Sequence, residues 1–410
     1  MSSKLVIIGA GFAGVWSALA AKRLINLKGK DKDSKNIEVI VIAPEPSLVL
    51  RPRLYEANAS SMFHPVGHLF QDAGITFIQG TAEAIDTDGQ TVDVQSPSGN
   101  RLSVTYDRLI LAAGSTVVHP PAVSRLQNYA FDIDSLASAT KLESHLRTLL
   151  TTLPSSPARD TIVVCGAGFT GIELAAELPG RFPNTRIVVV DIADEIGPEL
   201  GAGPRPVIAK ALEGLGVEVK LGSAVTSIDT EGVCLASGER IESKTVIWTA
   251  GVRATSLTRH ITGPKDSLSR LHVDQDLRVP STRHVFATGD AARALTDTKG
   301  HYTLMSCQHA IELGRVSGHN AAADLLNEPT VPYSQPTYVC CLDLGAAGAV
   351  IGKGWDRKVL LTGGLAKRVK TYINQKLIYP PLDADKAIAA ADPVTRTWVG
   401  YLIGFVWALL

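Results

Sequence analysis

Val6-Ile7-Ile8-Gly9-Ala10-Gly11-Phe12-Ala13-Gly14, near the start of the chain, is an apolar run, then Gly-x-Gly-x-x-Gly, then an Ala- and Leu-rich stretch. The run reads as a buried strand, the glycines as a turn and the stretch as a helix. In such a unit the first Gly permits the tight turn and the second lets the backbone approach a pyrophosphate. The third lets helix and strand pack closely. The helix N-terminus adds N–H donors and the positive end of a dipole. The pattern recurs as Ile162-Val163-Val164-Cys165-Gly166-Ala167-Gly168-Phe169-Thr170-Gly171. One match is weak evidence. Two, each with a strand before and a helix after, predict a protein holding two dinucleotides at once, the arrangement that passes electrons from a nicotinamide to a flavin.

Working outward, 410 residues leave room for two or three domains. Lys plus Arg and Asp plus Glu each number 40, and no basic stripe alternates with aromatics, so no nucleic-acid partner is expected. The five cysteines (Cys165, Cys234, Cys307, Cys340, Cys341) show no C-x-x-C or C-x-x-x-x-C, against zinc, an iron–sulfur cluster or a redox-active disulfide. Their odd count and scatter suit a reducing, cytoplasmic compartment. Cys340 and Cys341 read as strand residues rather than a vicinal disulfide. His64 and His68 have metal-ligand spacing, but Pro65 and Gly67 intervene and no further ligands are near, so no metal is expected. With a first strand beginning by Lys4, no targeting peptide is expected.

The strand 4–9, helix 12–27 and strand 37–43 open the first unit, with a solvated loop at 28–36 between the last two. Tyr106-Asp107-Arg108-Leu109-Ile110-Leu111-Ala112-Ala113-Gly114-Ser115 reads as a buried strand ending at a Gly turn. Helical periodicity covers 135–152, and Pro154-Ser155-Ser156-Pro157 reads as a linker. The second unit has strands at 161–165 and 186–190 and closes at Thr245-Val246-Ile247-Trp248-Thr249-Ala250-Gly251. Segment 270–325 should return to the first unit. A third region has strands near 337–344 and 348–352, with helices beyond. No internal repeat is visible besides the two fingerprints.

Together, 7–14, Arg51-Pro52-Arg53-Leu54-Tyr55-Glu56, 106–115, 166–177, and 246–253 with 286–292 resemble the pyridine-nucleotide:flavin oxidoreductases that include type II NADH:quinone dehydrogenases and apoptosis-inducing-factor-like proteins. The resemblance covers roughly 4–325; the last 80 or so residues match only loosely. It implies an α/β fold with two Rossmann-like domains in the glutathione-reductase arrangement, the NAD domain inserted in the FAD domain, plus a C-terminal α+β region. The expected boundaries are 1–120 and 253–330 for FAD, 121–252 for NAD(H), and 331–410 for a dimerising or membrane-proximal region. FAD and NADH are the implied cofactors.

Gly9, Gly11 and Gly14 then cradle the FAD pyrophosphate, with the N–H groups of Phe12 and Ala13 on phosphate oxygens. The family's acidic ribose ligand is replaced by Ala43; Glu45, two residues on, substitutes for it or is a solvated loop charge. Arg51 resembles a flavin-contacting position, against a surface ion pair. Asp290 resembles the ribityl ligand, with an N-cap as the alternative. Ala113, Gly114, Gly251 and Gly289 fall in matching segments and are expected cofactor contacts. Gly166, Gly168, Phe169, Thr170 and Gly171 hold the NAD pyrophosphate. Asp191, at the end of strand 186–190, accepts from ribose hydroxyls and repels a 2′-phosphate; with Asp194 and Glu195 following and no Arg immediately after, NADH is expected over NADPH.

Glu173 is the expected catalytic carboxylate at the nicotinamide–flavin contact, against dipole complementarity at a helix start. Glu177 is expected to be structural. Cys307-Gln308-His309-Ala310-Ile311-Glu312 begins a helix that, in the quinone reductases, points at the flavin and offers two Gln at i and i+4 to quinone. Gln308 keeps the first position; Glu312 replaces the second, and a buried carboxylate there costs free energy unless paired or protonated. His309 is a cofactor contact or proton donor, against a structural role. Lys367 and Lys370 fall in a segment that loosely resembles one where a relative places a Lys beside the flavin. This makes either an expected cofactor contact, against a solvated helix face as the default for Lys.

Residues 398–410 are uncharged and mainly apolar. As a helix they span roughly 20 Å, short of the hydrocarbon core, so they predict either an interfacial membrane anchor or packing in a homodimer. The leading expectation is an FAD enzyme passing electrons from NADH to a quinone or quinone-like acceptor. The alternatives are a dehydrogenase or oxidase of a specialised aromatic molecule, with O₂ closing the cycle, and an NADH-sensing flavoprotein.

Overall fold

A computed structural model of the chain describes residues 2–28 and 36–394. The segment 398–410, most of the 28–36 loop, and the expectations attached to them lie outside the described residues.

The elements that build the site run in this order: β1 (Ser3–Ile8), α1 (Phe12–Lys28), β2 (Ile37–Ala43), β3 (Thr76–Gln79) and β4 (Arg108–Leu111). A short β5 (Ser115–Val117) leads out to β6 (Ala130–Phe131), α2 (Leu136–Thr152), β7 (Thr161–Cys165), α3 (Phe169–Arg181), β8 (Arg186–Val190), β9 (Glu218–Lys220) and β10 (Thr245–Trp248). The chain returns by β11 (Val252–Ala254) to β12 (Val285–Ala287) and α4 (Cys307–Leu326). It finishes with β13 (Val339–Asp343), β14 (Ala349–Lys353), β15 (Lys358–Thr362), α5 (Gly363–Tyr372) and α6 (Ala384–Ala390).

Two five-stranded sheets, β12-β4-β1-β2-β3 and β6-β10-β7-β8-β9, are parallel throughout. Their strands are buried on both faces, which is why β1, β7 and β8 read as near-continuous apolar runs rather than alternating ones. In each sheet the fingerprint strand is central, and its C-terminal end is the place where open parallel sheets bind ligands. Each unit also carries a three-stranded antiparallel sheet, Thr81–Asp86 with Thr91–Gln95 and Arg101–Thr105, and Val225–Asp229 with Gly232–Leu235 and Arg240–Glu242. The two units are therefore alike well beyond their glycine turns, a likeness that the side chains hide because only the burial pattern is shared. β5 and β11 pair antiparallel where the chain leaves the first unit and comes back.

The third region is an antiparallel β13-β14-β15 sheet against α5. Strand β15 was not anticipated from sequence: Lys358 to Thr362 alternates exposed and half-buried residues, so its apolar signal is weak. Among the described residues no helix is long and apolar enough to cross a membrane.

Helices α1 and α4 cross in close contact. A Cβ added at Gly314 would lie 2.5 Å from the Ala13 carbonyl oxygen, and one at Gly318 would lie 2.0 Å from that of Ser17. The Ser17 and Ser317 hydroxyls meet at 3.0 Å in the same contact.

Candidate active site

Both glycine turns open into one cavity of about 1470 Å³, lined by residues of all three regions. That exceeds the roughly 300–1,000 Å³ of an ordinary small-ligand pocket.

The turns fit the groups expected of them. Gly9 and Gly166 take φ of +111° and +119°, values an L side chain rarely adopts. A Cβ at Gly14 would lie 1.9 Å from the Gly9 carbonyl oxygen, and one at Gly171 would lie 1.9 Å from that of Gly166, so these positions are fixed by the fold itself. Gly11 is different: a Cβ there meets no protein atom within 4 Å and projects into open space beside the start of α1. That is the cradle a pyrophosphate would fill. Phe12 and Ala13 line the cavity with it.

At the second turn a Cβ on Gly168 would meet the Glu199 carboxylate at 2.9 Å. That carboxylate accepts the Phe169 N–H at 3.1 Å, so a side-chain anion sits where the start of α3 would receive a phosphate. Sequence reading missed Glu199. Asp191 follows β8 as expected and lines the cavity. Its oxygens accept the Ala167 N–H at 2.5 Å and the Ala193 N–H at 2.8 Å, so it also braces the glycine turn. Thr170 and Gly251 line the same space.

On the first unit's side, Arg51, Gly114, Gly289 and Asp290 line the cavity. Arg51 is no isolated surface charge: it pairs with Asp134, donates to the Ser115 carbonyl at 3.0 Å, and lies 3.9 Å from Asp290. Asp290 sits in the 3-10 turn Gly289–Ala291 and accepts the Ser115 hydroxyl at 2.7 Å, instead of capping a helix. Burial pushes its carboxyl above the usual range, while Arg51 and the Ser115 hydroxyl pull it back.

Glu173 stands fifth in α3, past the first turn, so the helix start is not what holds it. One of its oxygens accepts from the Lys370 ammonium at 2.9 Å and from the Asp343 N–H at 2.9 Å. Both side chains are almost sealed, with 4% and 6% of their surface exposed. Burial pushes the Glu173 carboxyl up to about 7, against the opposing pull of Lys370 and the Asp343 N–H. Burial alone would lower the Lys370 ammonium, but Glu173 carries it above its ordinary value, so the lysine stays charged. Beside this pair, Asp343 takes the Lys367 ammonium, the Tyr55 hydroxyl at 3.1 Å and the Gly345 N–H at 2.9 Å.

Outside the glycine turns, four expected contacts do not line the cavity: Lys367, His309, Glu45 and Ala113. Lys367 is tied to Asp343, and Lys370, one turn on, lines the cavity instead. His309 is fully buried beside Tyr338 and Trp355. Its Nδ1 accepts the Leu304 N–H at 2.7 Å, and burial lowers the ring to about 4, so it is neutral at neutral pH and has no imidazolium proton to give. Glu45 is exposed and away from the cavity. Ala113 is half-buried between two residues, Ala112 and Gly114, that do line it.

Gln308 and Glu312 both line the cavity, one turn apart on α4. The Gln308 side-chain oxygen takes the Val339 N–H at 3.4 Å. Glu312 is paired: the buried Arg315 donates to it at 2.7 Å, and the guanidinium lies 4.2 Å from the Trp16 ring. The carboxylate that stands where a second Gln was expected is thus compensated from below. Cys307, Cys340 and Cys341 also line the cavity, and burial pushes their thiols up to about 11, 11 and 12. They stay protonated at neutral pH and are poor nucleophiles there.

Comparison with known proteins agrees with this geometry. The profile of the pyridine nucleotide-disulphide oxidoreductase family matches residues 3–314. The chain is 41% identical over 403 residues to an NADH dehydrogenase-like protein of Mycobacterium tuberculosis, covering 95% of this chain and 98% of that one. It is 27% identical over 360 residues to the demethylphylloquinone reductase of Synechocystis, covering 85% and 86%. The fold is similar to that of NDH2 from Plasmodium falciparum in complex with NADH, with a TM-score of 0.74 at 15% identity over 99% of this chain and 98% of that one.

Proposed function

This chain belongs to the pyridine nucleotide-disulphide oxidoreductase family, and we propose that, as an FAD-dependent NADH oxidoreductase, it delivers its electrons to a quinone or quinone-like acceptor. The observation that carries the reading is that two glycine turns, Glu173 and Gln308 all open into one cavity. NADH, one proton and a quinone become NAD⁺ and a quinol. FAD, when bound, relays the electron pair.

The chain's own residues do the rest. Gly9, Gly11, Phe12, Ala13 and Gly14 seat the FAD pyrophosphate, and Arg51, Gly114, Gly289 and Asp290 line its remaining length. Gly166, Gly168, Phe169, Thr170 and Gly171 seat the NADH pyrophosphate once Glu199 yields the helix start. Asp191 favours an unphosphorylated ribose. Glu173, fixed by Lys370, puts an anion near the nicotinamide seat, where it favours the cationic oxidised ring. With its carboxyl near 7, it can also hold or release a proton at neutral pH. Gln308 offers an amide to an acceptor carbonyl, and Arg315 makes the neighbouring Glu312 tolerable there. The demethylphylloquinone reductase among the relatives, a quinone reductase by name, supports the acceptor class.

We assign 1–120 and 253–330 to FAD, 121–252 to NADH and 331–410 to dimerisation or a membrane surface. Segment 398–410 is proposed as the membrane contact from its apolar sequence.

The test is anaerobic. NADH should bleach the flavin of the purified protein, and a neutral naphthoquinone should restore the colour in many turnovers. Reduction by NADH without reoxidation by any quinone would remove the acceptor from the proposal.

A further inference from the structure

Three cations line the cavity: Arg51, Lys370 and Arg357. Arg51 is paired with Asp134 and Lys370 with Glu173. Arg357 is only 7% exposed, its Nη1 is buried without a hydrogen-bond partner, and no carboxylate pairs with it among the described residues. The nearby Glu199 turns its carboxylate to the Phe169 N–H instead. An unpaired buried charge is costly, and arginine cannot shed its proton to escape that cost. Elsewhere the chain matches its buried cations: Arg315, at 1% exposure, has Glu312. At Arg357 no such partner is found among the described residues, and the residue lines the ligand cavity.

Its position says which ligand. The guanidinium lies 4.5 Å from the Tyr338 ring centroid, and the neighbouring Val339 donates to Gln308. Arg357, Tyr338 and Gln308 therefore stand along one wall. The dinucleotide pyrophosphates already have seats at Gly11 and Gly168. A flat acceptor beside Gln308 would leave its rim toward Arg357.

We propose that Arg357 is the receiving cation for an anionic substituent, a carboxylate or sulfonate, on an aromatic or quinonoid acceptor. This rests on the acceptor reading above and narrows it from quinones in general to ring acceptors bearing a negative charge.

The probes are menadione, which is neutral, and a naphthoquinone sulfonate. Binding to the oxidised flavoprotein is read from the flavin absorbance, with no turnover required. Arg357→Met should weaken sulfonate binding about 10- to 100-fold, as expected for losing a charged hydrogen bond. Menadione binding and the rate of flavin reduction by NADH should stay unchanged. Arg357→Lys should recover part of the loss, and flavin content and thermal midpoint check both variants for folding. Equal losses for the two probes, no loss for either, or no sulfonate binding by the unmodified protein would overturn the proposal. So would a loss confined to the NADH half-reaction, which would assign the cation to the dinucleotide. If the sulfonate binds through Arg357 but no quinone is reduced, the quinone reading fails and this inference stands.

Discussion

The Glu173 carboxylate and the Lys370 ammonium meet at 2.9 Å, on helices from the second unit and the third region, with the cavity beside them. The region beyond the family profile, which ends at residue 314, thus supplies the counterion of the carboxylate proposed for the nicotinamide contact. A buried pair of this kind adds little net stability, but losing one partner strands the other.

Glu173→Gln should slow flavin reduction by NADH on the order of 100-fold, the scale of removing one preorganised electrostatic partner, with FAD content unchanged. The unmodified protein should show an inflexion near pH 7 in that rate, from the raised Glu173 carboxyl, and the variant should lack it. Stopped-flow traces across pH decide it; identical profiles would leave Glu173 a packing residue. Stability follows the same carboxyl. The folded value lies above the unfolded one, so the folded state binds the extra proton, and stability falls as pH rises from about 4.5 to about 7. Glu173→Gln should flatten that slope.

Lys370→Met should cost about 3–5 kcal/mol, the usual result of stranding a buried charge. The double variant with Glu173→Gln should cost clearly less than the two single losses added together. Denaturant titrations of all four proteins measure the coupling, and simple additivity would mean that the pair is not coupled in solution.

Gly11→Val should purify folded but colourless, because its Cβ meets no protein atom within 4 Å and projects into the pyrophosphate seat. Gly14→Ala should instead disturb the fold, since its Cβ would collide with the Gly9 carbonyl. Flavin absorbance and circular dichroism separate the two outcomes. A yellow Gly11→Val protein would mean that FAD sits elsewhere.

Asp191→Ala should narrow the preference for NADH over NADPH by roughly tenfold, the worth of one charged hydrogen bond. It should also lower the melting temperature, because the carboxylate braces the Ala167 and Ala193 N–H groups. Equal rates with the two cofactors in the unmodified protein would contradict the assignment.

Deleting 398–410 should release the protein from lipid vesicles while leaving flavin content and NADH-driven reduction intact. Co-sedimentation and molecular mass, measured for both forms, check it. No vesicle binding at the start, with a dimer falling to monomer on deletion, would place the segment between subunits.

The two turns were legible in the sequence because their backbone leaves no choice: φ near +110° at Gly9 and a carbonyl 1.9 Å from any Cβ at Gly14 admit only glycine. Strands β2, β7 and β8 were legible because burial on both faces makes each a continuous apolar run. Lys370 could not be told from Lys367, since the two lie one turn apart on α5 and differ only in which carboxylate the folded chain presents. Glu199, Arg315 and Arg357 carried no local signal at all. Each matters through a neighbour that only tertiary structure supplies: the Phe169 N–H, the Glu312 carboxylate and the Tyr338 ring. His309 misled because a helix-start position says nothing about depth, and burial lowers the ring to about 4.

The close crossing of α1 and α4 divides the protein into a part that can vary and a part that cannot. Gly314 and Gly318 press directly on the backbone of the helix that follows the first glycine turn. The spacing between that turn and Gln308 is thereby set like the jaws of a locked caliper, and a single methyl at either glycine would open it. New acceptor chemistry has little scope to arise there. It has scope across the cavity, in the β13–β15 sheet, where Arg357 can be exchanged without touching the caliper or the Glu173–Lys370 pair. A lineage of such enzymes can keep one electron relay and change its clientele by rewriting its last eighty or so residues.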